Sequence, residues 1–435
     1  MPIEDVPPAS QQGVKQGPSS GSNVLRVLAL GLITGAADDD CSAIGTYASA
    51  GARFGPSFLW TAPATFPMMF AVVYLSAKLG QVSGKGLFEV IRDHYPGWIL
   101  RYALVGVLIG NTIEAGADIG AMAAAINIFV PIPAPWIVVP TALSILALQI
   151  WGSYTLIRNI FRWLALVLLA YIGSALLAKP ELGPVLRGTF IPTIHFIQEF
   201  LSILVAVIGT TLSAYLYTWQ SNQEVEEEIA MGRKRLWQRK GATDEELRQT
   251  RWDVLSGMFF SNVVMYFIIL STASTLYKAD KKDIDNAAQA AEALRPLADH
   301  AAGILFAAGI IAVGFLAVPV MTTGAAYDLC QVLGWKHGLH AKPAEAKKFY
   351  VTIAVFTVVA VGMNFFGFNP MKALVFAGVV QGFSTPPLLL LIMLMTNNRV
   401  IMGDRANSGW VNVLGWTTTA AVFAATLGLV YTWFV

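Results

Sequence analysis

Three consecutive acids, Asp38, Asp39 and Asp40, stand about fourteen residues into the first long apolar run, NVLRVLALGLITGAADDDCSAIGTYASAGARFG. At ~1.5 Å per residue that is roughly 20 Å along a helix, close to the middle of a bilayer. A carboxylate there costs at least ~2.5–3.5 kcal/mol on insertion scales, so three in succession need a partner or a use. Oxygen anions in such a place suit a cation taken from water, and crowded acids can also hold a proton that an arriving cation displaces. The plainer alternative is that they cap a half-helix or pair with a buried base. Gly35 before them and Cys41-Ser42 after them give a helix a place to unwind. A second weak stretch, Gly209-Thr210-Thr211 followed by Ser213, lies at similar depth in a later apolar run. Unwound carbonyls and the C-terminal ends of half-helices carry negative dipoles, which also favour a cation.

Other polar residues could line a path. Glu114 and Asp118 are four apart, hence on one helix face, where they share a proton, border water or are satisfied by neighbouring helices. Gln381, inside a later apolar run, either lines a site or bonds a neighbouring helix. The five histidines, at 94, 195, 300, 337 and 340, fall near run ends or in polar segments, which argues against a zinc or catalytic role. Two cysteines, Cys41 and Cys330, build no redox motif or metal knuckle. No phosphate-cradling glycine loop, nucleotide motif or nucleophile triad is present, so an enzyme with a bound cofactor is not expected.

These residues must be positioned by membrane helices. Of 435 residues, 55% are hydrophobic and only 13% charged, against about 25% charged in soluble domains. Runs near twenty residues, enough to cross about 30 Å of hydrocarbon, number eleven, near 24–54, 57–80, 98–130, 134–152, 156–178, 196–222, 253–277, 301–333, 349–368, 371–397 and 410–435. The class is all-α and polytopic, with the lipid bilayer as its partner. Residues 1–23, rich in Pro, Ser and Gly, are expected to be a disordered cytoplasmic tail. With the N-terminus inside, 21 of the 29 Lys and Arg residues fall on the cytoplasmic side and eight outside, so the C-terminus is expected outside a plasma or inner cell membrane. The net charge of +2 is small and spread between runs, which argues against nucleic acid. The longest inside loop, about 223–252, is expected to hold an amphipathic or solvated helix. Five spans precede the second weak stretch, so 24–178 and 196–397 read as two inverted copies, each opening with an interrupted helix, and 410–435 as an extra one. The whole of 24–435 is then one domain. Oligomeric state is not legible.

The segments TGAADDDCSAIGTYASAGARFG, AKLGQVSGKGLFEVI, GNTIEAGADIGAMAAAINIFVPIP, GTTLSAYLYTWQS and TNNRVIMGDRAN resemble the natural resistance-associated macrophage protein (Nramp) family of divalent-metal transporters across roughly 24–433. The resemblance implies a LeuT-type fold, a 5+5 inverted repeat with helices 1 and 6 unwound at mid-membrane. It places the family's Asp-Pro-Gly-Asn motif on Asp40-Cys41-Ser42-Ala43 and its Met-Pro-His motif on Ser213-Ala214-Tyr215. Asp40 and the carbonyl of Ala37 would then bind metal, with the carbonyl of Thr210 and the hydroxyl of Ser213. Asp38 and Asp39 would add ligands, directly or through water, or accept protons. Glu114 takes the place of the family's first acid on span 3. Ala117 takes that of the second, with Asp118 one position on. Gln381 matches a glutamine that approaches the site.

The departures matter as much. The asparagine ligand is Ala43, the thioether is Ser213 and the histidine is Tyr215. An all-oxygen shell suits a hard cation better than a soft one. The chain is therefore similar to the Nramp-related branch that handles Mg²⁺, with Mn²⁺ tolerated, and proton coupling through a histidine is not expected. A carrier for an organic cation or amino acid, or a non-transporting sensor on the same core, are the alternatives.

Overall fold

The computed structural model describes residues 35, 37–130, 132–151 and 169–434, and every regular element among them is helical. Among these residues, eight helices are long and apolar enough to cross a membrane, and a shorter apolar one covers Pro135–Ile150. The tail at 1–23, the beginning of the first span at 24–34 and residues 156–168 of the fifth lie outside the described residues. The rest of the fifth span is seen as a helical stretch at 169–177.

The helices used below are α1 (Cys41–Phe54), α2 (Thr61–Ser83), α3 (Gly97–Asn127), α4 (Ala134–Trp151), α5 (Gln198–Thr211), α6 (Ala214–Ala230), α7 (Asp244–Thr272), α8 (Ala302–Leu333), α9 (Lys347–Met363), α10 (Pro370–Asn397) and α11 (Gly409–Tyr431). The expected 223–252 loop holds no long helix of its own. Instead its two neighbours extend into it, α6 to Ala230 and α7 from Asp244, with a single short turn at Leu236–Arg239 between them. The physical reason is local. Thr243 and Glu246 form a reciprocal capping box, and Asp244, Glu245 and Glu246 complement the positive end of α7.

α3 packs against α8 and α10, α10 also covers α5, and α7 lies on α1 and α2. α5 and α10 meet backbone to backbone, because a Cβ added to Gly209 would sit 2.0 Å from the Gly378 carbonyl oxygen. This close approach sits beside the second of two helix breaks.

Both expected interruptions are present. In span one, Ala37 and Asp38 are helical, Asp39 bends, and Asp40 is extended (φ −67°, ψ 179°) before α1 starts at Cys41. In span six, α5 ends at Thr211, and Ser213 is extended (φ −61°, ψ 138°) before α6 starts at Ala214. Backbone groups released at a break inside a membrane need other partners. The Leu212 carbonyl finds them in the hydroxyls of Thr385, at 2.9 Å, and Tyr217.

Candidate cation site

The two breaks are joined directly. Tyr215, in the first turn of α6, points its hydroxyl at the Ala37 carbonyl (2.8 Å) and at Asp40 Oδ2 (3.1 Å). Asp40 Oδ1 caps α1, accepting from the Ala43 N–H at 2.6 Å and the Ser42 hydroxyl at 3.0 Å. The capping role considered from sequence is thus real, and it leaves Oδ2 directed at the second break.

Ser42 connects Asp40 to the acids of α3. Its hydroxyl lies 3.0 Å from Glu114 Oε1, and its N–H donates to Asp118 Oδ1 at 3.0 Å. Gln381 on α10 donates from Nε2 to Glu114 Oε2 at 2.6 Å and faces Asn111 Oδ1 at 3.3 Å. The Ser213 hydroxyl is within 3.3 Å of Glu114 Oε1, 2.9 Å of the Gly209 carbonyl and 3.0 Å of the Thr210 carbonyl. Each hydroxyl carries one proton, so these contacts are alternatives between which it can rotate.

Asp38 and Asp39 do not join this group. Both turn toward α7, where the Ser261 hydroxyl lies 2.6 Å from Asp38 Oδ2 and 3.2 Å from Asp39 Oδ1. Of the three successive aspartates, Asp40 is the one that shares a partner with Glu114. The structure brings Asp40, Ala37, Thr210, Ser213, Glu114, Asp118, Tyr215 and Gln381 together as neighbours. The sequence does not reveal Ser42 as their hub or Ser261 as the partner of the other two acids. The signal for Ser261 was its place next to Asn262 in an otherwise apolar run. Asp328 on α8 is a further fully buried acid.

Asp38, Asp39, Asp40, Glu114 and Asp118 are all 0% exposed. None of them takes part in an ion pair with Lys, Arg or His among the described residues. Asp38 Oδ1, Asp39 Oδ2 and Asp118 Oδ2 have no hydrogen-bond partner among the described residues. Buried carboxylates without basic partners are costly unless protons or cations neutralise them. The N-terminus of α1 supplies partial positive charge to Asp40 and, through the Ser42 N–H, to Asp118. Among the described residues, no three carboxylate, thiol or imidazole groups already converge as a metal site. The oxygens at the breaks are instead of mixed kind: one carboxylate, two main-chain carbonyls and hydroxyls.

Residues 31–432 match the family model described as natural resistance-associated macrophage protein-like. The chain belongs to the Nramp family. It is 28% identical over 394 residues to the divalent metal cation transporter MntH of Klebsiella pneumoniae, covering 87% of each chain. Its structure is similar to the Eremococcus coleocola manganese transporter, with a TM-score of 0.70 at 19% identity, covering 97% of this chain and 89% of that one. A nucleobase-cation-symport-1 family transporter, Mhp1, superposes with a TM-score of 0.58 at 13% identity, over 93% of this chain and 92% of that one. The fold is therefore of the LeuT type, and this Nramp protein is a multi-pass membrane protein.

Proposed function

We propose that this Nramp chain is a secondary carrier that moves a divalent metal cation across a membrane by alternating access around its two helix breaks. One observation carries the reading: five fully buried acids, without basic partners among the described residues, gather where two helices are interrupted. Its similarity to a divalent metal cation transporter and to a manganese transporter supports it.

In this reading Asp40 binds the ion through Oδ2. The Ala37 and Thr210 carbonyls and the Ser213 hydroxyl supply neutral oxygens. The Tyr215 and Ser213 hydroxyls, which hold those carbonyls at 2.8 and 3.0 Å, turn aside as the ion arrives. Asp38 and Asp39, turned to Ser261, add negative potential without touching the ion. Glu114, Asp118 and Gln381 border the site. When the ion neutralises Asp40, the single proton of the Ser42 hydroxyl turns to Glu114, which ties occupancy at the first break to α3 and, through Gln381, to α10. Since all five acids are 0% exposed, entry from either side requires the helices to part.

No sulfur donor stands at Ser213 and no imidazole at Tyr215, so the shell is all oxygen. Such a shell suits Mg²⁺, which keeps several of its waters, or Mn²⁺. A phenol titrates near 10 when unperturbed, so coupling to protons through this position is not expected and the carrier works as a uniporter. The functional unit spans 24–435, with repeats at 24–178 and 196–397 and an extra helix at 410–435. It sits in a plasma or inner membrane with its N-terminus in the cytoplasm and its C-terminus outside.

Uptake into proteoliposomes across a panel of divalent metals and organic amines, with and without an imposed pH gradient, tests this. Saturable Mg²⁺ or Mn²⁺ uptake that ignores the gradient is expected. Uptake of an amine without any metal would overturn it.

A further inference from the structure

Asp328 stands on α8 among apolar residues and is 0% exposed. Among the described residues neither of its carboxylate oxygens has a donor committed to it alone, and no ion pair includes it. The Thr218 hydroxyl of α6 faces it, and its single proton turns either to Asp328 or to the Tyr215 carbonyl at 3.2 Å. One turn further along both helices, Gln331 of α8 donates from Nε2 to Asn222 Oδ1 of α6 at 2.6 Å. This leaves Gln331 Oε1 buried and without a partner among the described residues. One turn in the other direction on α6 is Tyr215, whose hydroxyl touches Asp40.

Asn222 and Gln331 also line a cavity of about 500 Å³, together with Glu226, Tyr327 and His337, that opens beside the exposed Gly334 and Lys336. Tyr215, Thr218, Asn222 and Glu226 recur every three or four residues, so they form one face of α6, and α6 packs against α8. The seam between α6 and α8 is thus a line of polar groups running from Asp40 to this cavity, with Asp328 midway. A carboxylate inside the membrane domain with no basic partner and only a shared hydroxyl facing it is relieved either by a proton or by a cation. The nearby unpartnered groups are the Gln331 amide oxygen and the Asn222 amide N–H, and the Thr218 oxygen keeps its lone pairs whichever way its proton turns. A protonated Asp328 would have a single hydrogen to donate. A cation uses all of these oxygens at once.

We propose that Asp328, with Gln331 Oε1 and the Thr218 oxygen, forms a second site for a partly hydrated divalent cation, which the transported ion occupies between Asp40 and the cavity at the far end of α6 and α8. The proposal rests on reading the chain as a cation carrier.

Titration calorimetry of the detergent-solubilised full chain with Mn²⁺ and with Mg²⁺, paired with proteoliposome uptake, tests it. The wild type is expected to bind two equivalents, Asp328→Asn one and Asp40→Asn one. Asp328→Asn should transport about tenfold slower, the size of a lost charge-assisted contact, while its remaining site keeps wild-type affinity. Asparagine mimics a protonated carboxyl, so a folded Asp328→Asn protein with wild-type stoichiometry and rate overturns the second site. Should that variant not fold, Gln331→Leu removes only the amide group, and unchanged binding of the second equivalent then overturns it. Failure of the carrier reading looks different: no divalent ion binds the wild type, or Asp40→Asn transports normally.

Discussion

Replacing Asp40 by asparagine separates two tasks that the aspartate performs, because only one of them needs charge. As a cap, asparagine is about as good as aspartate. Its Oδ1 keeps the Ala43 N–H at 2.6 Å and the Ser42 hydroxyl at 3.0 Å. The new amide nitrogen faces Tyr215, whose hydroxyl keeps its proton on the Ala37 carbonyl at 2.8 Å and accepts where it formerly donated. A fully buried negative charge without a basic partner is also removed, so the folded state should change by no more than ~1 kcal/mol. Binding is another matter. Truncating one side of a buried charge pair costs ~3–5 kcal/mol. That corresponds to a loss of roughly two to four orders of magnitude in affinity for Mg²⁺ or Mn²⁺. Thermal melting in detergent measures the first effect, and calorimetry with proteoliposome uptake measures the second. A variant that melts with the wild type and takes up metal with wild-type half-saturation would refute Asp40 as a ligand. One that cannot fold would show that the charge serves the structure.

Ser261→Ala deprives Asp38 and Asp39 of a shared donor at 2.6 and 3.2 Å, and should lower stability by ~1–3 kcal/mol while leaving metal affinity within about threefold; a large affinity loss at unchanged melting temperature would put these acids at the ion instead. Gly209→Ala sets a methyl 2.0 Å from the Gly378 carbonyl oxygen, so it should cost ~1–3 kcal/mol by forcing α5 and α10 apart, read as a lower melting temperature. Ser213→Met restores a thioether and should shift preference toward softer ions such as Cd²⁺ relative to Mg²⁺ in competition uptake; an unchanged ratio would place Ser213 away from the ion. Outside the spans, the hydrogen bond from His340 to Glu226 raises the imidazole above its ordinary 6.5, with the negative charge of Glu227 adding to it. The folded pKa is the higher one. The contact therefore contributes fully below about pH 6.5 and is lost as pH rises through the raised value, so hydrogen exchange in the 334–346 segment should quicken over that range, and His340→Gln should flatten the response.

What the sequence could and could not reveal divides along the reach of local rules. The breaks were legible because Gly35, the run of aspartates and Gly209-Thr210-Thr211 are poor helix formers at membrane depth, where any weakness in an apolar run is conspicuous. That Glu114 and Asp118 share a face follows from helical periodicity, and both indeed meet Ser42. Direction at a break follows no period. Asp39 and Asp40 adopt different backbone conformations, which is why successive aspartates turn to α7 on one side and α6 on the other. Ser42 was hidden for the opposite reason: it occupies a motif position where the family has glycine, so its side chain has no counterpart to compare. Asp328 was hidden by contrast with three adjacent acids, although a lone carboxylate in the eighth span is subject to the same solvation cost as each of them. Charge marks where a span leaves the membrane, and it does not mark where the helix ends. In 244–251, charged residues continue α7 beyond the apolar part, stabilised by a capping box that works as well in water as at the membrane surface. A helix ends where its backbone finds caps, and a membrane span ends where its side chains meet water. In this chain the two boundaries are separated by nine residues at the start of α7, counting from the expected 253 back to Asp244, and by eight at the end of α6, from the expected 222 to Ala230. The same excess of α6 carries Glu226 out to His340, which is how a helix that begins at the proposed ion site comes to present a titratable contact at the protein surface.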